Sequence, residues 1–267
     1  MSAILRTKTD APVLLEENDR GVLRLTLNRP DARNALSVAL MSALLEALAR
    51  AGRDGRTRVV VIAGAGSAFC AGHDLRELRA DPRRETYERT FAQCSELMLA
   101  IVRLPKPVIA EIHGVATAAG CQLVATCDLA VAAADARFAT PGVNIGLFCS
   151  TPMVALTRAV GRKAAMEMLL TGKLIDPETA HAIGLVNRVV PREGVRDAVD
   201  DLAHEIASKS ALTVKIGKEA FYRQAELDLT AAYRYAAEVM TTNMLARDAG
   251  EGIDAFLAKR EPLWQDR

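Results

Sequence analysis

Aromatic residues are scarce in this 267-residue chain, at 4%, although half of it is hydrophobic. A core of stacked rings is excluded, so Ala, Leu, Val and Ile must fill the interior, a composition suited to helices and buried strands. Net charge is nearly absent as well: 34 Lys and Arg against 33 Asp and Glu leave a formal +1. No whole-molecule field draws such a chain to nucleic acid, and only a local basic patch could hold a phosphorylated ligand. The five cysteines, Cys70, Cys94, Cys121, Cys127 and Cys149, show neither CxxC spacing nor a neighbouring histidine in sequence. They offer no metal site and read as reduced core thiols. No apolar run approaches the roughly 20 residues that span a bilayer, and the N-terminal stretch through Asn18 has no continuous apolar h-region. The expectation is a soluble cytoplasmic protein with no membrane and no nucleic-acid partner.

The pattern that is present is α/β. Val13 to Glu17, Val22 to Leu27 and Val59 to Ile62 are short, β-branched and bounded by polar residues or glycine, which predicts strands. Between the last two, Ser37 can cap a helix whose apolar face carries Leu40, Leu44, Leu45 and Leu48, and Gly52 can end it. Val108 to Ile112 and Leu129 to Ala132 are further strands, with a helix expected over Ala116 to Thr126. Strands alternating with helices predict parallel pairing through helical crossovers rather than a meander. After Phe138 a Pro/Gly-rich loop gives way to helices: Lys163 to Leu170, then one with Asp176 as N-cap, Pro177 at the first position and Gly184 at its end. Four helices are expected beyond Pro191: Gly194 to Ser208, Ala211 to Gln224, Leu229 to Leu245 and Glu251 to Arg260.

Two small-residue segments carry the chemistry. Gly64 to Asp74 reads GAGSAFCAGHD, and Gly114 to Asp128 reads GVATAAGCQLVATCD. A thioester enolate needs two preorganised donors aimed at one oxygen, and backbone N–H groups beside small residues or at a helix N-terminus supply them. Ala71-Gly72-His73-Asp74 and Ala118-Ala119-Gly120 both offer such donors. Taken singly, each is better explained by tight packing.

Together the two segments resemble the oxyanion loops of the crotonase (enoyl-CoA hydratase/isomerase) superfamily. NRPDARNALS at 28 to 37, RAVGRKAAMEMLLTG, AIGLVNRVVP and EGIDAFLAKREP follow in that family's order, so the resemblance spans nearly the whole chain. It implies a crotonase-like spiral of repeated ββα turns over residues 1–190 and a helical C-terminal region over 191–267 that covers coenzyme A and builds a homotrimer or dimer of trimers. It also implies that the N–H groups of His73 and Ala119 form the oxyanion hole. Ala119 stands where the family usually has glycine. Ala32, Arg33, Ala71, Asp74 and Leu75 would line the coenzyme A site, with Phe256 and Lys259 reaching it from the last helix; a lysine there suits a phosphate. Coenzyme A would enter as part of the acyl-CoA substrate, with no permanently bound cofactor.

The chain departs from the family at the reacting centre. Hydratases of this family carry two glutamates, and the matching positions here are Gln122, which cannot hold a water's proton, and Gly142, which has no side chain. General acid–base groups supply about 10²- to 10⁴-fold in rate, so hydration should suffer while acyl-CoA binding and enolate stabilisation survive. His73, Asp74, Asn144 and Cys149 are the nearby substitutes. Three readings follow: a hydratase/isomerase-family enzyme working through an enolate; an acyl-CoA decarboxylase similar to the methylmalonyl-CoA branch, which carries a tyrosine near Phe148 and Cys149; and a non-catalytic acyl-CoA binding protein.

Overall fold

The computed structural model describes residues 11–267; most of the N-terminal stretch examined for an h-region lies outside them. The first elements among the described residues form a hairpin, β1 (Leu14–Asp19) and β2 (Val22–Leu27), paired antiparallel from Leu14↔Leu27 to Asp19↔Val22. Its two-residue turn has both residues at positive φ, Arg20 at 44° and Gly21 at 86°. That geometry matches strand twist and closes the tightest hairpins. All-parallel pairing is therefore corrected for β1: a two-residue link can only reverse the chain.

From β2 onward the expected crossover pattern holds. Helix α1 (Val38–Arg53), capped by Ser37 Oγ accepting from Leu40 N, leads to β3 (Val59–Gly64). β4 (Ala68–Cys70) follows, then α2 (Leu75–Ala80) and α3 (Arg84–Arg103). β5 (Val108–Ile112) and β6 (Val115–Thr117) lead into α4 (Ala119–Thr126), and β7 (Leu129–Ala133) and β8 (Arg137–Ala139) into a 3₁₀ turn over Pro141–Ile145. The helix expected from Ala116 starts at Ala119 because Val115–Thr117 is spent on a strand. α5 (Ser150–Ala159), α6 (Arg162–Thr171), α7 (Pro177–Ala182) and β9 (Arg188–Val190) complete the core, followed by α8 (Val195–Ala207), α9 (Ala211–Gln224), α10 (Leu229–Met244) and α11 (Arg247–Ala258).

The strands sort into two sheets. One has the order β1-β2-β3-β5-β7-β9, parallel after its first pair; the other is the parallel trio β4-β6-β8. Each of β3, β5 and β7 is followed directly by a strand of the small sheet, so the chain climbs as a spiral of ββα turns. Both faces of the large sheet are covered, which explains why β3 reads VVVIAG without polar alternation. Val60 and Ile62 join the main core with Leu44, Leu97 and Phe138, while Val59 and Val61 pack with Val199 and Leu202 of α8. All five cysteines are buried and unpaired.

The C-terminal helices are tied on by buried charge. Lys218 Nζ of α9 donates to Asp128 Oδ2 at 2.6 Å and to the carbonyls of Ile101 and Lys106, and Tyr222 Oη donates to Asp128 Oδ1 at 2.8 Å. Farther along, α10 buries none of its residues in the single chain. No helix among the described residues is long and apolar enough to cross a membrane.

Candidate active site

Because β4, β6 and β8 are parallel neighbours, the loops leaving them emerge side by side. The first carries Ala71 to Asp74, the second Ala118 to Gln122, the third Thr140 to Cys149. Ligand sites of open α/β sheets form at this end of the strands.

The first two loops touch through glycine. A Cβ on Gly72 would lie 2.9 Å from Ala118 Cβ and 3.4 Å from Ala119 N, and one on Gly120 would lie 2.0 Å from the Cys70 carbonyl oxygen. Only glycines allow so close a backbone approach. Thr117 Oγ1 adds a hydrogen bond to the Ala71 carbonyl at 3.2 Å. Ala118, the residue before α4, is held at φ 50°, ψ −118°, a conformation rarely adopted by a residue with a side chain. Its own N–H is used, donating to the Ala139 carbonyl at 2.9 Å. Among the described residues, neither the N–H of His73 nor that of Ala119 has a protein acceptor. The Ala119 N–H also stands at the positive end of the α4 dipole.

The proposed coenzyme A residues fall into two groups. Ala32, Arg33, Ala71, Asp74 and Leu75 are neighbours: Ala71 N donates to the Arg33 carbonyl at 3.0 Å, and Leu36 bridges to His73. Phe256 belongs to α11, which packs on α9 and α10, and Lys259 caps that helix at a left-handed φ of 52°. The segment after α11 is tied by Asp266 to Arg58, which precedes β3 at its N-terminal end, the end opposite the loops. No hydrogen bond or ion pair among the described residues links Phe256 or Lys259 to the first group.

Two residues overlooked in the sequence set this corner. Asn34, buried at φ 54°, accepts from Arg29 N and donates to the carbonyls of Ala65 and Ala68, fastening the first motif to the β3–β4 turn. Arg29 donates to Asp74 Oδ2 at 2.7 Å. Asp74 also caps α2 by accepting from Arg76 N and Glu77 N. Burial works against its charge, but Arg29 and these amides outweigh it and hold the carboxyl below its usual range. Asp74 is thus a fastening group. Nothing in the largely polar run NRPDARNALS sets Asn34 apart from its neighbours; its burial follows from contacts with the distant β3–β4 turn.

Gln122 is buried on α4, its Oε1 at 4.0 Å from Cys94 Sγ. Gly142 lies in the 3₁₀ turn, where an added Cβ would meet the Leu147 carbonyl oxygen at 2.6 Å and Cys149 Sγ at 2.9 Å. Cys149 is itself buried, which raises its thiol pKa. The His73 ring meets Phe91 of α3 in a T-shaped contact, with centroids 5.4 Å apart, and burial lowers its pKa.

A spiral of ββα turns with helices closing its C-terminal side is the crotonase fold. The chain belongs to the enoyl-CoA hydratase/isomerase family, which matches residues 17–267. It resembles the crystal structure of an enoyl-CoA hydratase from Mycobacterium smegmatis at 56% identity and a TM-score of 0.93, covering 95% of this chain and 99% of that one. The crystal structure of human enoyl Coenzyme A hydratase domain-containing protein 3 is similar at 44% identity and a TM-score of 0.92, over 94% and 100% of the two chains. Enoyl-CoA hydratase domain-containing protein 3, mitochondrial, of Xenopus laevis is 46% identical over 253 residues, 95% of this chain and 86% of that protein.

The mitochondrial names of this relative and of its Rattus norvegicus, Mus musculus and Homo sapiens counterparts overturn the cytoplasmic placement expected from the sequence. A missing apolar h-region argues only against a secretory leader. Mitochondrial leaders are amphipathic and Arg-rich, so that reasoning never bore on this compartment.

Proposed function

We propose that this protein is an acyl-CoA enzyme that holds a thioester enolate between the N–H groups of His73 and Ala119, in a reaction other than ordinary hydration. The observation that carries this reading is the pair of acceptor-free N–H groups on loops locked together at Gly72 and Gly120. Preorganised donors of this kind are each worth about 10²- to 10³-fold in rate. Hydration is disfavoured because Gln122 cannot carry a water's proton and the Gly142 position is closed by Leu147 and Cys149. Coenzyme A would enter with the substrate, along Ala32, Arg33, Ala71 and Leu75. The Asp74 carboxylate, already committed to Arg29, would shape that wall without touching the ligand.

An assembly completes the proposal. α10 leaves Leu229, Tyr233, Met240 and Met244 exposed, and Phe256 and Leu257 of α11 are exposed as well. Such surface suits a homotrimer or dimer of trimers, in which Phe256 and Lys259 would serve a neighbouring protomer's coenzyme A. Light scattering should report a trimer or hexamer; a monodisperse monomer would contradict this part. For the chemistry, a mass-spectrometric panel of 2-enoyl-, 3-enoyl- and malonyl-CoA thioesters should show turnover of at least one substrate and little hydration. Saturable acyl-CoA binding with no product anywhere would favour the silent binding protein. Release of CO₂ from malonyl-CoA would favour the decarboxylase.

A further inference from the structure

Buried polar atoms without partners are few in folded proteins, and each demands a physical reason. Among the described residues, three of them sit in the loops after β4 and β8: Nδ1 and Nε2 of His73, and Oγ1 of Thr140. The His73 ring is buried in a T-shaped contact with Phe91 of α3. Three residues along the same helix, and so on the same face, Cys94 touches the Gln122 side chain. The imidazole and Gln122 therefore border one stretch of α3; His73 itself carries one of the two N–H donors, and Gln122 lies on the helix that Ala119 opens.

Every rival acid or base at this site is committed or silenced. Asp74 is held by Arg29 and the α2 cap. Gln122 and Gly142 carry no titratable group. The surrounding thiols face burial: Cys70 and Cys94 are pushed up to about 12, and Cys149 is raised. Burial outweighs an opposing contact with the Leu36 backbone and holds the His73 pKa below its ordinary value, so the neutral ring carries one N–H and one lone pair.

We propose that the His73 ring is the catalytic proton carrier of this site, moving a proton between the carbons of an acyl thioester. The inference rests on the enolate reading above. The free ring nitrogen takes the proton from the carbon α to the thioester carbonyl. That C–H bond breaks, its electron pair becomes the carbon–carbon π bond, and the carbonyl π pair moves onto the oxygen held by the two N–H groups. The imidazolium then returns a proton. Return at the same carbon exchanges hydrogen with solvent; return at the γ-carbon of a 3-enoyl thioester shifts the double bond into conjugation. One acid–base group suffices for both, whereas hydration calls on two.

The test uses the full-length protein with butyryl-CoA in D₂O, following α-deuterium by mass spectrometry. The bound ¹³C=O stretch is followed by infrared difference spectroscopy. His73→Ala and His73→Gln both keep the backbone N–H. Both should remain folded at pH 7 and keep the lowered carbonyl frequency, and lose exchange by about 10²- to 10⁴-fold. Added imidazole should partly restore the alanine variant. The wild-type rate should fall only at pH below the ordinary histidine value of 6.5. Exchange by His73→Ala within a few-fold of wild type would overturn the proposal, as would a wild type that polarises the carbonyl without exchanging. A wild type that leaves the carbonyl frequency unchanged would instead sink the oxyanion reading, and this inference with it.

Discussion

A side chain on Gly142 would put its Cβ 2.6 Å from the Leu147 carbonyl oxygen, closer than carbon and oxygen approach in folded proteins. The Leu147 N–H also returns a 2.9 Å bond to the Gly142 carbonyl, so the two residues close a small ring of backbone. The second glutamate position is therefore occupied by backbone.

Gly142→Ala should destabilise the protein by about 1–3 kcal/mol, the usual cost of overpacking, read as a lower urea midpoint. Gly142→Glu should cost more. Combined with Gln122→Glu it should not bring hydratase activity on crotonyl-CoA; rapid hydration by that double variant would show that the turn opens freely.

Ala118 sits at φ 50°, ψ −118°. Such strain costs about 1–3 kcal/mol, while glycine gives back roughly 0.5–1 kcal/mol in unfolded-state entropy. Ala118→Gly should therefore raise stability by about 1 kcal/mol and raise the melting temperature. A lowered melting temperature would show that the methyl's packing outweighs the strain.

Lys218 and Asp128 form a buried pair, with side-chain exposures of 6% and 16%. Lys218→Met should cost about 3–5 kcal/mol, because the Asp128 carboxylate stays buried without its cation. Calorimetry on the variant measures this; a loss under about 1 kcal/mol would mean that Val108 N and Tyr222 suffice to hold the carboxylate.

Burial holds both His73 and His113 below the ordinary 6.5. Above that value neither state binds the proton and the two histidines contribute no pH dependence. As pH falls through 6.5 the unfolded chain takes up protons that the native state refuses, so stability drops until the native values are passed. Melting temperatures should decline as pH falls below about 7, and a His73→Gln, His113→Gln double variant should flatten that decline.

The elements with strong periodicity or punctuation were legible in the sequence: β2, β5 and α9 fall on their expected bounds, and Ser37 and Asp176 cap as anticipated. The small sheet was not, because three-residue strands are too short to show a period. Helix α3 was missed since its buried face opens with Thr86 and Thr90 rather than apolar residues. At the site, the two loops were legible as small-residue runs. Their mutual locking was not, because Gly72 against Ala118 and Gly120 against Cys70 are contacts between segments far apart in the chain.

The most direct measurement is the infrared carbonyl frequency of ¹³C-labelled butyryl-CoA bound to the wild-type protein, beside Gly72→Ala, which drives a methyl between the two loops. The expected result is a carbonyl stretch lowered on binding to wild type and largely restored to its free value in the variant. A frequency unchanged on binding to the wild type would contradict an oxyanion hole between His73 and Ala119.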